Sequence, residues 1–313
     1  MSGVNKIEFP IVSVIINCYN GEVFLKEAIE SVFQQTYTNW EIIFWDNCSN
    51  DNSAEIAKSY GEKIKYFYST DNTSLGEARN MAIQKSSGDF IAFIDCDDIW
   101  INSRKLEIQV DLLMKNESYG LCYGSMEEVD EEKNHFRDVI TIHESGYIFP
   151  ELLMQFDVSI ITTMIRKKTL EQSGLNFDNN IKASEEYCLF MQLACISEIG
   201  VIKDILAAYR VSMNSLTSKS LEILGFERRY TLNKIIDTRP FLLEKHSKNF
   251  REAFARANYY DARWNMQNRN RINAINNLSK NILIDKRYFL LFITSLFPYF
   301  IWDSIHLAKR KRV

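Results

Sequence analysis

The first hundred residues alternate between short continuous apolar runs and stretches with apolar residues at helical spacing. Val12–Asn17 is a β-branched run of the kind a buried strand needs. Val23–Gln35 carries Phe24, Leu25, Ala28, Ile29, Val32 and Phe33 at helical spacing. Strands are predicted again at Glu41–Trp45, Ile64–Tyr68 and Asp89–Ile94, with helices over Ser53–Tyr60 and Leu75–Ser86 between them. Strand–helix alternation of this kind implies a parallel, doubly wound sheet, whose ligands lie beyond the carboxyl ends of the strands. Three polar clusters fall there: Asn17–Asn20, Asp46–Asp51 and Asp95–Asp98.

The pattern then becomes mixed. Arg104–Lys115 and Glu185–Ile196 read as helices, and Gly120–Tyr123, Val139–Ile142, Ser159–Ile165 and Ala207–Val211 as strands. Glu127–Glu132 reads as a solvated acidic turn. Residues 221–287 resemble two or three basic amphipathic helices. Tyr288–Trp302 is the most apolar window, but Pro298 interrupts it and it is short of the roughly 20 residues a span requires. It suits an interfacial anchor, followed by the basic Lys309–Arg312. The alternative is a helix packed on the body.

Composition changes this picture in two ways. Residues 1–220 hold 19 Lys and Arg against 33 Asp and Glu, whereas residues 221–313 hold 18 against 8. An acidic body argues against nucleic acid as a partner, and a basic C-terminal part suits an anionic membrane surface. The six cysteines form no CxxC and read as free thiols in a reducing compartment. With no apolar leader segment at its start, the chain is expected in the cytoplasm, at the inner face of the membrane.

The sharpest chemistry lies in Asp95-Cys96-Asp97-Asp98, three carboxylates in four residues at the end of a buried strand. Such a cluster suits a hard divalent cation, Mg²⁺ or Mn²⁺, which also binds phosphate oxygens. A dehalogenase-type phosphatase also places an acidic DxD pair after a strand, but its motif belongs on the first strand and not the fourth. Asp46-Asn47 after the second strand can either read a pyrimidine base or open an Asx-type turn. Arg79 can pair with Asp46, lean on a base, or be a surface charge. Glu185 and Glu186 open a helix, where carboxylates gain from the macrodipole and one can serve as a general base. No phosphate-binding glycine loop, nucleophile elbow or His ligand pair is present, which removes the main support for a dehydrogenase, a P-loop NTPase and a hydrolase.

In order and spacing, these motifs resemble family 2 glycosyltransferases of the GT-A fold. The resemblance runs through Val12–Ser53, Ser74–Trp100, Ser184–Phe190 and Tyr209–Thr217. It implies an α/β GT-A domain over 1–220, with a nucleotide-binding half (1–104) and an acceptor half (105–220). A helical extension over 221–313 follows. It also implies inverting transfer of a sugar from a UDP- or dTDP-linked donor to a hydroxyl of a glycan or lipid-linked acceptor. Asn17, Tyr19 and Asn20 would border the nucleoside, Asp46 and Asn47 would read the base, and Arg79 would support it. Asp95 and Cys96 would line the donor, Asp97 with Asp95 would hold Mn²⁺ or Mg²⁺, and Glu186, beside Glu185, would be the base. Asn47 and Glu186 each stand where the family carries Asp, and Ser212 stands where many members carry His. The rival reading is a GT-A domain that binds a nucleotide-sugar or a partner without catalysis.

Overall fold

A computed structural model describes residues 9–211 and 220–310, with side chains to residue 305. Ser212, Ser215–Thr217 and Lys311–Arg312 therefore lie outside the described residues, as do the side chains of Lys309 and Arg310.

The amino-terminal half is the expected alternation: β1 (Val12–Cys18), α1 (Leu25–Phe33), β2 (Trp40–Asp46), α2 (Ser53–Lys58), β3 (Ile64–Tyr68), α3 (Leu75–Lys85) and β4 (Phe90–Asp95). β1 pairs in parallel with both β2 and β4, and β2 in parallel with β3. These strands are buried almost end to end, which is why they read as continuous apolar runs. The α3–β4 turn needs Gly88: a Cβ there would lie 2.6 Å from the Ile11 carbonyl oxygen.

The second half comprises α4 (Lys105–Lys115), β5 (Tyr119–Val129), β6 (His135–Val139), α5 (Phe149–Met154), β7 (Met164–Arg166), α6 (Lys167–Ser173), α7 (Glu185–Ala194) and β8 (Glu198–Arg210). The eight-stranded sheet runs β3-β2-β1-β4-β7-β5-β6, with β8 pairing β5. β7 is antiparallel to β4 and β5, so the sheet is mixed, while β1 to β4 pair in parallel. This is the GT-A architecture.

Four expectations shift. Glu127–Val129 belongs to β5 and is not a solvated turn, because Arg137 on the neighbouring strand pairs with Glu128 at 2.6 Å. The antiparallel partner is His135–Val139, leaving 140–142 outside the strand. Ser159–Ile165 begins as a 3-10 turn over Ile160–Thr162, because the Thr162 and Thr163 hydroxyls both donate to the Ser159 carbonyl. The extension holds four helices before residue 287: α8 (Leu221–Thr238), α9 (Phe241–Lys245), α10 (Ser247–Gln267) and α11 (Arg271–Ser279).

Pro298 divides the apolar window into α12 (Lys286–Leu296) and α13 (Tyr299–Arg310). Leu232, Ile235, Leu242, Phe250 and Ala253 of the extension join the main core. Ala262, Met266, Ala274, Leu278 and Trp302 form a separate small cluster. The tail is thus two-sided. Tyr288 and Trp302 are buried, while Leu290, Phe297 and Phe300 are 59%, 49% and 67% exposed. Among the described residues no helix is long and apolar enough to cross a membrane.

Trp302→Ala empties the centre of the small cluster and should cost about 3–5 kcal/mol locally. Hydrogen exchange should accelerate in 270–305 and stay unchanged in β1, β2 and β4. Uniform acceleration would show that the two clusters unfold as one.

Candidate active site

The register of the parallel strands brings polar side chains together at their carboxyl ends. Asn17 lies opposite Asp95 on β4, and Cys18 lies opposite Asp46 on β2. Asn17 is buried, and its Nδ2 has no hydrogen-bond partner among the described residues. Tyr19 is half-exposed at the rim. Asn20 adopts a left-handed conformation (φ 54°), and its side chain accepts from the Asn50 backbone N–H at 2.9 Å. Gly21 closes this corner, since a Cβ there would lie 2.8 Å from the sulfurs of both Cys18 and Cys96.

Asp46 is buried, accepting from the Tyr66 hydroxyl at 2.7 Å and the Ser49 backbone N–H at 2.8 Å. Two oxygens with about four lone pairs leave it capacity for a ligand. Asn47 is committed elsewhere. Its amide donates to Asn72 Oδ1 and the Thr73 carbonyl and accepts from the Thr73 N–H and hydroxyl. It thereby shapes the 72–73 loop, whereas the resemblance turns it toward the base.

Arg79 does not pair with Asp46. Buried on α3, it donates to Glu185 Oε1 at 2.6 Å and to Asp95 Oδ1 at 2.9 Å, bridging β4 to α7. Burial raises the Glu185 carboxyl, and the Arg79 charge opposes that rise. Glu186, half-buried, has no hydrogen-bond partner among the described residues. Burial, with the Glu185 charge added, pushes its carboxyl up to about 8.

The Asp97 carboxyl is pushed up to about 6 by burial and by Asp95 beside it. Asp98 is buried, with Oδ1 accepting the Arg210 backbone N–H at 2.8 Å and Oδ2 unpartnered. Burial raises its carboxyl strongly. Asp95, Asp97, Asp98, Glu185 and Glu186 thus share one region with two guanidinium groups, Arg79 and Arg210. That surplus of hard oxygen donors fits a divalent cation at Asp97 and Asp95.

Two supports carried no role in the sequence reading. Arg210 stacks 3.9 Å over Phe24, donates to the Asp97 carbonyl, and pairs with Glu27. It pins the acidic loop from behind. Glu227 of α8 accepts from the Lys182 and Ala183 backbone N–H groups and the Ser184 hydroxyl, fixing the entry to α7. The position of Arg210 beside Tyr209 in the motif was visible. Glu227 had no local signal, since its partners lie over 40 residues away in the chain.

The family profile of glycosyl transferase family 2 matches residues 13–172. The Escherichia coli UDP-Glc:alpha-D-GlcNAc-diphosphoundecaprenol beta-1,3-glucosyltransferase WfgD is 30% identical over 217 residues, covering 68% of this chain and 82% of that protein. The chain spans only about a third of the length of the Rickettsia glycosyltransferases that it also matches. Among solved structures, Staphylococcus aureus TarS 1-349 with UDP-GlcNAc superposes with TM-score 0.63 at 18% identity, over 87% of this chain and 91% of that one. The mannosyltransferase PcManGT from Pyrobaculum calidifontis, in complex with GDP-Man and Mn²⁺, superposes with TM-score 0.61 at 14% identity, over 95% and 84%. Profile, relatives and architecture agree on one assignment: the chain belongs to glycosyl transferase family 2.

Proposed function

We propose that this chain transfers a sugar from a UDP- or dTDP-linked donor to a hydroxyl of a lipid-linked glycan acceptor, with inversion at the anomeric carbon. The observation that carries the reading is the division of labour between the paired carboxylates. Arg79 occupies Glu185, whereas Glu186 has no hydrogen-bond partner among the described residues and has its carboxyl raised toward neutrality. A base must accept a proton in the transition state, so the uncommitted carboxylate is the one suited to the acceptor hydroxyl. Asn17, Tyr19 and Asp46 border the nucleoside, and Asn47 holds the loop beside it. Asp95 and Cys96 lie under the donor. Asp97 with Asp95 would hold Mn²⁺ or Mg²⁺, and the PcManGT complex contains Mn²⁺. A cation there supplies charge compensation for the leaving diphosphate. The donor named for WfgD and the ligand bound to TarS are both UDP-sugars, which supports a uridine donor.

The two-sided tail supports peripheral association with the inner face of an anionic membrane. Leu290, Phe297 and Phe300 are exposed beside Lys286 and Arg287, an apolar–basic combination suited to the lipid interface.

Hydrolysis of UDP-, dTDP- and GDP-sugars without acceptor, in Mn²⁺ or Mg²⁺, tests the donor assignment. A nucleotide-binding protein that hydrolyses none of them in any metal would favour the non-catalytic reading. Asp97→Asn should abolish turnover and metal-dependent nucleotide binding, and undiminished wild-type activity in EDTA would overturn the metal role.

Glu186→Gln should lower kcat by several orders of magnitude with donor KM nearly unchanged, since a base acts in the transition state. Its protonated form is inactive, so kcat/KM should fall as pH drops, with a midpoint above the ordinary carboxylate range. Glu185→Gln should instead loosen Arg79 and weaken donor binding. A dead Glu185→Gln with intact donor affinity, beside an active Glu186→Gln, would reverse the two roles.

Leu290→Asp with Phe300→Asp should release the protein from anionic liposomes at low salt and leave donor hydrolysis unchanged. Equal sedimentation of variant and wild type would overturn the membrane reading.

A further inference from the structure

Two thiols meet beside the acidic loop, and the catalytic reading uses the chemistry of neither sulfur. β1 and β4 are neighbours in register, with Asn17 opposite Asp95. Cys18 ends β1 and Cys96 follows β4, so they are the next residues along adjacent strands. Neighbouring strands lie about 4.8 Å apart, within the roughly 4.4–6.8 Å between Cα atoms that a disulfide spans. Their side chains turn to one place, since a Cβ on Gly21 would lie 2.8 Å from the sulfur of each. Gly21, lacking that Cβ, leaves the room they occupy. There the Cys96 thiol is a hydrogen-bond partner of the Cys18 sulfur.

The pair is asymmetric in access. Cys18 is 2% exposed, whereas Cys96 is half-buried. A small reagent in solvent therefore reaches Cys96 first and finds Cys18 directly behind it, which is the arrangement of a reactive thiol and a resolving one. The remaining cysteines are placed differently. Cys122 and Cys188 are buried, while Cys48 contacts the Thr70 carbonyl at 3.4 Å and Cys195 the Met191 carbonyl at 3.2 Å. The backbone around Cys96 is fixed on both flanks. Asp95 Oδ1 accepts from Arg79 at 2.9 Å, and the Asp97 carbonyl accepts from Arg210 at 2.8 Å. A covalent tie at Cys96 is thus not absorbed by a slack loop, and its strain falls on the peptide units that carry the two carboxylates.

We propose that Cys18 and Cys96 form an oxidisable dithiol, a modification site for small-molecule disulfides, whose closure reversibly disables donor binding. The Cys96 sulfur attacks one sulfur of the small disulfide, whose S–S bond breaks. A mixed disulfide forms on Cys96, and one small thiol leaves. The Cys18 sulfur then attacks Cys96, the mixed disulfide breaks, and a second small thiol leaves. The protein's two thiols give up two electrons and two protons, and the small disulfide takes them up as two thiols. The new bond pins the residue between Asp95 and Asp97 to the end of β1, so the two carboxylates no longer converge on a cation. The thiol chemistry stands on the geometry alone. Its effect on nucleotide binding rests on the reading of Asp95 and Asp97 as metal ligands.

Oxidised glutathione is the reagent, applied to the reduced, native full chain, followed by alkylation in denaturant and peptide mapping. Cys18–Cys96 should be the major cross-link, with Cys48, Cys122, Cys188 and Cys195 still alkylated, and dithiothreitol should reverse it. The Mn²⁺-dependent affinity for whichever of UDP, dTDP or GDP binds the reduced protein should fall at least tenfold in the cross-linked form and return on reduction. Cys18→Ser should trap the glutathione adduct on Cys96 without a cross-link, and its reduced form should keep donor hydrolysis unchanged. Cys48→Ser should cross-link as wild type does. A native protein that keeps all six thiols in excess oxidised glutathione, or that links a different pair, would overturn the dithiol. A Cys18–Cys96 cross-link that leaves nucleotide affinity unchanged would overturn its control of the donor site. Failure of all three nucleotides to bind the reduced protein would instead refute the donor reading, and the cross-linking arm would still decide the dithiol.

Discussion

A buried guanidinium holds the two halves of this site in register. Arg79 is 2% exposed and has a carboxylate on each side, Asp95 at the end of β4 and Glu185 in the first turn of α7. Removing such a charge from water costs several kcal/mol unless both of its donor edges are met. The arrangement therefore persists only when strand and helix stand at one separation. That separation places the acidic loop and Glu186 in the same region. Glu185 is the more buried of the two acids, and its commitment to Arg79 leaves its neighbour uncommitted.

The helical extension is part of the same construction. Glu227 of α8 meets three donors in Lys182, Ala183 and Ser184 just before α7 begins. The turn that presents Glu185 and Glu186 is thus held by a residue from beyond the sheet. Arg210 plays the corresponding part for the acidic loop, with one edge on the Asp97 carbonyl and another on Glu27. Both supports are charged side chains acting on backbone or loop geometry, so their loss would move the reacting groups without deleting any of them.

The amino-terminal half of the sheet was legible because its information is local. Continuous β-branched runs marked buried parallel strands, and each polar cluster sat where a strand of that kind ends. Where structure depends on partners far along the chain, the pattern misleads. The acidic Glu127–Val129 looks like a solvated turn until Arg137 is placed opposite Glu128. Thr162 and Thr163 look like strand residues until their hydroxyls turn back to Ser159. The same limit governed the site. Asp95, Asp97 and the Glu185–Glu186 pair announced themselves by clustering carboxylates, but the choice between the two glutamates needed Arg79 in space. Asn47 was singled out by position, yet the Asn72 and Thr73 contacts that consume its amide have no sequence signature.

One further residue joins the parts that the sequence left separate. Glu252 of α10 is buried and accepts from the Tyr288 hydroxyl at 3.0 Å and from Arg287 at 3.2 Å, both on α12, while Arg256, one turn along α10, lies 3.9 Å away. The tail helix α12 and α10 therefore share a single anion. Arg287 lies at the amino end of the helix whose outer face exposes Leu290 and Phe289.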